Sequence, residues 1–185
     1  MATAENPITL KKPIAREKKK IYDIFAKALI TKNIRLNINN IGSNLKETIE
    51  KKVKYDIEGK CIKEGYIKSN SVQVVSYSSG KILEGHLVSF EVSLEALICL
   101  PVEGMLIECS ASSITKAGIK AEIKEYNPSP VIIFVSRDHF YQSKYFSQVK
   151  EGDKIVVRVI GQRFELNDEF ISIIGELVEP KKEAK

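Results

Sequence analysis

Residues 105–123, MLIECSASSITKAGIKAEI, decide the fold, because they supply the first two of five closely spaced strands. These two strands are 105–114 and 118–123, and the other three are 131–135, 154–160 and 170–177. Strands of this length and spacing predict a small barrel, and five are enough for an OB-fold.

The connections within the predicted barrel differ in length. Residues 136–150 separate the third strand from the fourth and are too many for a tight hairpin turn. Asn167 and Asp168 provide a turn between the last two strands. Phe134 alternates with Ile133 and Val135 in an apolar strand, so we expect it in the barrel core.

The chain changes character at Pro101. Before it, apolar residues from Ile21 to Leu29 recur at helical spacing and predict a short helix, and residues 34–38 alternate as a strand. A second helix is predicted over 45–55, with Ser43 as its cap and Gly59 after its end. Further strands are predicted at 61–68, 72–77, 80–83 and 85–97.

The expected fold is therefore an α+β N-terminal domain, made of a strand, a helix and an antiparallel meander, followed by an all-β five-stranded OB barrel. We divide the chain into a flexible basic arm at 1–20, one domain at 21–100, the barrel domain at 101–179 and a charged tail at 180–185.

Charge favours a polyanionic partner, since the formal net charge is +5 and the pI is about 9.0. Much of the excess lies near the two ends, and the rest of the chain is nearly balanced. No apolar run reaches the length of about 18 residues that a membrane span needs. The first 20 residues lack the apolar centre of a secretory signal, so we expect an intracellular protein.

Neither metal binding nor catalysis is predicted. Cys61, Cys99 and Cys109 form no CxxC pair, and His86 and His139 lie far apart. The sequence contains no GxSxG, HExxH or P-loop motif, and its paired acids lie at turns. We expect no cofactor, no metal and no active site belonging to this chain.

A single-stranded nucleic acid could follow basic and aromatic side chains of the barrel, because OB-folds use one face and its loops for this purpose. The candidate RNA-binding residues are Lys120, Lys124, Arg137, His139, Tyr141, Lys144, Arg158 and Arg163.

The order of several short motifs resembles the stalk-subunit family of multisubunit RNA polymerases, which includes the seventh subunit of eukaryotic RNA polymerase II and its archaeal counterpart. The motifs are ITKNIRLNI at 30–38, EGKC at 58–61, GYI at 65–67, GKIL at 80–83, FEV at 90–92 and PVEG at 101–104. Gly118, Val135-Ser136 and Gly152-Asp153 resemble an OB domain of the ribosomal-S-one type. In that type an aromatic residue and a histidine are common where Lys120 and Ser136 stand here, so the resemblance implies weak base stacking.

The resemblance implies a non-catalytic polymerase subunit. It implies that the N-terminal domain docks on core subunits, with Gly59, Lys60, Cys61, Gly65 and Tyr66 at the docking tip. The other expected partners are a smaller stalk subunit and nascent single-stranded RNA. A cellular protein of this kind would work in the nucleus, and one encoded by a large DNA virus in the host cytoplasm or virion. The alternatives are a free-standing OB-fold factor of translation or RNA decay and, third, a nucleolytic or other hydrolytic enzyme.

Overall fold

The computed structural model describes residues 23–138 and 145–179, which form a six-stranded sheet carrying one α-helix and a closed five-stranded barrel. The sheet contains β1 (Phe25–Asn37), β2 (Cys61–Ile62), β3 (Gly65–Ile67), β4 (Gln73–Tyr77), β5 (Lys81–Ile82) and β6 (Leu87–Cys99). Helix α1 is Leu45–Ile57, and a short 3-10 helix, Ile38–Asn40, follows β1. The barrel contains β7 (Leu106–Ile114), β8 (Gly118–Glu122), β9 (Val131–Ser136), β10 (Lys154–Arg163) and β11 (Ile171–Val178), with a 3-10 helix at Phe146–Gln148.

The central strand of the sheet is β6. Along one side it pairs with all of β1, from Phe25 opposite Cys99 to Asn37 opposite Leu87. Along the other side it pairs in turn with β3, β4 and β5. Helix α1 buries Ile49, Val53 and Ile57 in the core of this sheet.

The barrel closes in the order β10-β11-β9-β8-β7, and β10 completes the ring by pairing with β7. Only β11 and β9 run parallel among its adjacent strands. This is the five-stranded order of an OB-fold. The predicted fold class, an α+β part followed by an OB barrel, is confirmed.

Two local predictions are wrong. Residues 25–29 belong to β1, not to a helix, because pairing with the long apolar strand β6 outweighs their helical spacing. Ile30 is buried while Leu29 is 71% exposed, which is the alternation of a strand. Residue Asn44, not Ser43, precedes α1, and its side chain makes no capping hydrogen bond. The division into an arm, two domains and a tail stays a prediction, and residues 1–20 and 180–185 lie outside the described part of the chain.

The sheet and the barrel meet in a continuous junction. The N–H of Cys61 donates to the Asp168 carbonyl at 2.7 Å, and the N–H of Asn167 donates back to the Cys61 carbonyl at 2.8 Å. Cys61, Tyr66 and Cys99 are buried in the same apolar cluster as the barrel interior. The barrel core therefore continues into the sheet, while the face of the sheet that α1 covers has a core cluster of its own.

Aromatic contacts add to this junction. The rings of Phe25 and Tyr126 meet edge to face with their centroids 4.9 Å apart. The ammonium of Lys68 lies 5.1 Å from the centre of the Phe25 ring and 5.0 Å from that of Tyr126. A cation near two aromatic rings stabilises their placement. The junction thus joins β1, the segment after β3 and the loop after β8.

Barrel closure depends on a close approach at Gly118. A Cβ atom there would overlap the carbonyl oxygen of Val135 and lie 2.9 Å from the Phe134 ring. We expect Gly118→Ala to lower the free energy of unfolding by about 2 kcal/mol or more, because the β8–β9 ladder would have to shift. Urea unfolding measures the change.

The matched control is Gly161→Ala, since no atom lies within 4 Å of a Cβ built at Gly161. This variant should unfold within about 0.5 kcal/mol of the parent chain. Equal losses from both substitutions would contradict the close approach at Gly118.

Candidate nucleic-acid interface

An outward row of side chains crosses three strands of the barrel. Lys120 on β8 stands opposite Phe134 on β9, which stands opposite Ile174 on β11. Phe134 is 38% exposed and Ile174 is 54% exposed, whereas Ile133 and Val135 are completely buried. The prediction that Phe134 lies in the core is therefore wrong. When every residue of a strand is apolar, the sequence does not indicate which side chains point outward.

An exposed phenylalanine beside a lysine suits contact with a single strand, because a base can stack on the ring while the ammonium approaches a phosphate. Gly118 lies next to the Phe134 ring and has no side chain to cover it. The strands that carry these residues, β8 and β9, are the second and third of the barrel, whose face OB-folds use for oligonucleotides. We call Lys120, Phe134 and Ile174 the barrel row.

Three of the predicted basic residues form ion pairs with acids. Lys120 pairs with Glu122 at 2.9 Å, Arg158 with Glu176 at 3.2 Å and Arg163 with Glu165 at 3.0 Å. Exposed pairs such as these stabilise the fold by only about 0–1 kcal/mol. A phosphate would nevertheless have to compete with each carboxylate. The barrel surface is thus less strongly cationic than its lysines and arginines alone indicate.

Two further predicted residues, Arg137 and Lys124, lie at opposite ends of the barrel. Arg137 donates to the Thr115 carbonyl at 3.3 Å and lies 5.4 Å from the centre of the Phe146 ring, so it links two loops. Lys124 is exposed in the turn after β8, the end at which the sheet packs, and makes no ion pair with another described residue. His139, Tyr141 and Lys144 lie outside the described residues. Of the predicted residues that the structure describes, Lys120 alone stands directly beside the exposed ring.

The predicted docking tip occupies the junction. Cys61, Gly65 and Tyr66 are buried, while Gly59 and Lys60 are half-buried. Gly59 has a left-handed φ of 70°, and its N–H donates to the Ile67 carbonyl at 3.0 Å, which turns the chain from α1 into β2. In this structure Cys61 and Tyr66 hold the sheet against the barrel. Among these five residues, Lys60 offers the main accessible functional group.

Next to this segment, Tyr55 on α1 is 80% exposed. The ammonium groups of Lys52 and Lys60 lie 5.9 Å and 5.8 Å from the centre of its ring. The arrangement offers a partner an apolar ring surrounded by positive charge. The exposure of Tyr55 was predictable from the helical spacing of the buried residues, because that spacing places this side chain on the opposite face of the helix.

Burial keeps the three thiols protonated. Desolvation, together with the nearby Asp168 carboxylate, raises the pKa of Cys61 to about 11. Desolvation raises the pKa of Cys99 and of Cys109 to about 12. Such thiols pack as small apolar side chains and are poor nucleophiles.

Among residues 23–138 and 145–179, no group of three or more His, Cys, Asp or Glu side chains is placed to hold a metal ion. Within those same residues, no helix is both long and apolar enough to cross a membrane.

Comparison with known proteins finds similarity to RNA polymerase subunits. The chain is 22% identical over 178 residues to DNA-directed RNA polymerase II subunit 7 of Arabidopsis thaliana, covering 83% of this chain and 98% of that protein. It is 23% identical, with the same coverage, to DNA-directed RNA polymerase II subunit RPB7 of Glycine max. It is 24% identical to a protein assigned as a DNA-directed RNA polymerase subunit in Acanthamoeba polyphaga mimivirus, over 77% of this chain and 74% of that protein. No protein-family model matches the chain.

The raised thiol pKa values predict how stability depends on pH. Between the usual thiol pKa of 9.0 and the raised values, the unfolded chain ionises its thiols while the folded chain does not. The thiol contribution to stability is therefore complete below pH 9 and is lost as pH rises toward 11 to 12. Urea unfolding from pH 8 to 10.5 measures the loss.

The matched control is the triple variant in which Cys61, Cys99 and Cys109 become alanine, which should show a smaller fall in unfolding free energy over the same pH range. An identical fall in both proteins would mean that the thiols do not cause the pH dependence.

Proposed function

We propose that this chain is a stalk subunit of a multisubunit RNA polymerase, which docks on the polymerase core and contacts nascent RNA; its similarity to RNA polymerase II subunits supports this proposal. The observation that carries the proposal is the extent of the similarity. It covers 98% of two RNA polymerase II subunits, so it includes both the sheet and the barrel.

We assign the docking to the sheet part of the chain. Its exposed features include Tyr55 with Lys52 and Lys60, and the accessible part of the segment after α1. An exposed tyrosine is typical of the residues that contribute most to protein interfaces. A smaller stalk subunit is included in the proposal as a second partner.

We assign RNA contact to the barrel row. Phe134 supplies one stacking surface, and Lys120 can exchange its ion pair with Glu122 for a phosphate. Because several neighbouring basic side chains are paired with acids, we expect modest affinity from the isolated protein. The polymerase would then position the RNA beside the barrel, which offsets the modest affinity of the barrel itself.

The subunit would have no catalytic role of its own. The sequence lacks a nucleophile and base motif, and polymerisation belongs to the core subunits in this proposal. A cellular member would act in the nucleus, and a viral one in the host cytoplasm or the virion.

A free-standing RNA-binding factor is the second candidate, and the exposed ring of Phe134 favours it. Such a factor must bind RNA tightly without other subunits. The stalk subunit needs only weak binding, so the two functions differ in the affinity of the isolated chain and in what purifies with it.

The docking proposal predicts stable association with the two largest polymerase subunits. Full-length tagged chain, expressed with the polymerase subunits of its own genome, should recover them in a pull-down measured by mass spectrometry. Phe134→Ala is the matched control and should recover them equally, since Phe134 lies on the barrel row. Recovery of a folded chain without the largest subunits would overturn the proposal.

The RNA proposal predicts that Phe134→Ala weakens binding of a fluorescent single-stranded oligouridylate by about 5-fold or more, because one stacked base contributes about 1–3 kcal/mol. Fluorescence anisotropy at fixed salt measures the affinity. Tyr55→Ala is the control, since this exposed ring also has lysines beside it but lies on α1, away from the barrel. Unchanged affinity of a folded Phe134→Ala protein would exclude the barrel row as the contact.

A further inference from the structure

An apolar groove of about 370 Å³ lies over the end of the sheet that is nearest the barrel. It is lined by the first residues of β1, by Ile98 of β6, and by Leu100 and Met105 in the segment that leads to the barrel. Two of its lining residues, Leu29 and Leu100, are 71% and 44% exposed. A contiguous exposed apolar surface of this kind is typical of a place where other apolar side chains bind.

A second cavity, of about 280 Å³, adjoins the groove on the barrel side. Its apolar lining includes Ile107 and Ile123 of the barrel. Asp23 and Ile24 line both cavities. Since Asp23 is the first residue that the structure describes, the two cavities meet where the preceding part of the chain enters the fold.

The charged residues in these two linings are all acidic. Asp23 and Glu64 line the groove, and Asp23, Glu108 and Glu125 line the second cavity, with no lysine or arginine among the described residues of either lining. Glu108 pairs with Lys154 at 3.5 Å. The other three acids form no ion pair with another described residue. This charge repels the phosphates of RNA and favours a basic occupant.

The sequence just before Asp23 has the complementary chemistry. Residues 11–20 include six basic residues and one acidic residue. In the segment 14–22, IAREKKKIY, four basic residues stand between Ile14 and the pair Ile21 and Tyr22. Lysine side chains can also cover apolar surface with their methylene stems while the ammonium group reaches a carboxylate. We call residues 14–22 the basic segment.

Covalent connection favours the basic segment over a basic segment of another molecule. Lys18 precedes Asp23 by five residues, so their Cα atoms are at most about 18 Å apart. A short tether of this kind gives an effective concentration on the order of millimolar. A second copy offers the same chemistry without the tether, so it competes poorly in dilute solution.

We propose that the basic segment folds back over the groove of its own chain, with Ile21 and Tyr22 against the apolar lining and lysines 18–20 beside Glu64 and Glu125. The cations of this segment are then neutralised by acids of the sheet and barrel, so they add little to RNA binding. The inference concerns a surface that neither polymerase docking nor RNA contact uses, and it does not depend on either proposal.

A nitroxide spin label attached to full-length Ala15→Cys tests the placement by NMR, because the label broadens the signals of nearby protons. The three native thiols are buried, so the label should react mainly at position 15. The methyl signals of Leu100 and Met105 should lose more intensity than those of Leu97. Leu97 lies at the same end of β6 but on the face opposite Ile98, since side chains alternate along a strand.

Charge reversal tests what holds the segment in place. Changing Lys18, Lys19 and Lys20 together to Glu should lower the docked-to-undocked ratio by about 5-fold or more, because attractive pairs are replaced by like charges. Glu64→Lys should also restore the Leu100 signal. Glu91→Lys is the matched control, since this exposed carboxylate makes no ion pair with a described residue and lies on the other face of the sheet.

Three results would overturn the proposal. Equal broadening of Leu97 and Leu100 would mean that the segment does not select the groove. Broadening that persists unchanged in folded Glu64→Lys and in the lysine-reversed chain would exclude recognition by charge. Broadening of an isotope-labelled chain by a separate spin-labelled copy would make a second molecule the donor of the segment. Because no polymerase or RNA is present, these outcomes are independent of the pull-down and the anisotropy measurement.

Discussion

The structure depends on two reciprocal backbone hydrogen bonds between Cys61 and the loop before β11. These bonds pair backbone groups of Cys61 and of residues 167–168 that the junction buries. Each such group, if it were buried without a partner, would destabilise the fold by about 1–3 kcal/mol. Cys61, Tyr66 and Cys99 then extend the apolar core of the barrel into the sheet. Separating the sheet from the barrel would expose this shared core and break these bonds.

This constraint gives the surfaces of the molecule fixed relative positions. The exposed Tyr55 lies on α1 against the sheet, and the barrel row belongs to β8, β9 and β11. The sheet packs at the barrel end that contains residues 123–130 and 164–170. The strand directions place residues 115–117, 137–138 and 145–153 at the opposite end. If a larger assembly held the sheet, it would therefore also set the direction in which the barrel row faces.

Much of this fold follows from the pattern of apolar residues. All five barrel strands and helix α1 lie close to where apolar runs between turn residues, or helical spacing, predict them. Residues 25–29 are different, since their conformation is determined by pairing with residues of β6 that are about 70 positions away in sequence. The exposure of Phe134 escapes prediction because apolar residues occupy both faces of β9, so periodicity cannot say which one is outside. The burial of Cys61 is equally a tertiary effect, since its partner Asp168 lies in a distant turn.

The site is less predictable than the fold for the same reason. Sequence identifies which residues carry charge, but ion pairing with Glu122, Glu176 and Glu165 is decided by cross-strand neighbours and turn geometry.

The central claim is that sheet and barrel form one body. Urea unfolding followed by the NMR signals of Ile98 in the sheet and Val135 in the barrel tests it most directly. The account predicts a single midpoint and slope for both residues, and two separate midpoints would contradict it.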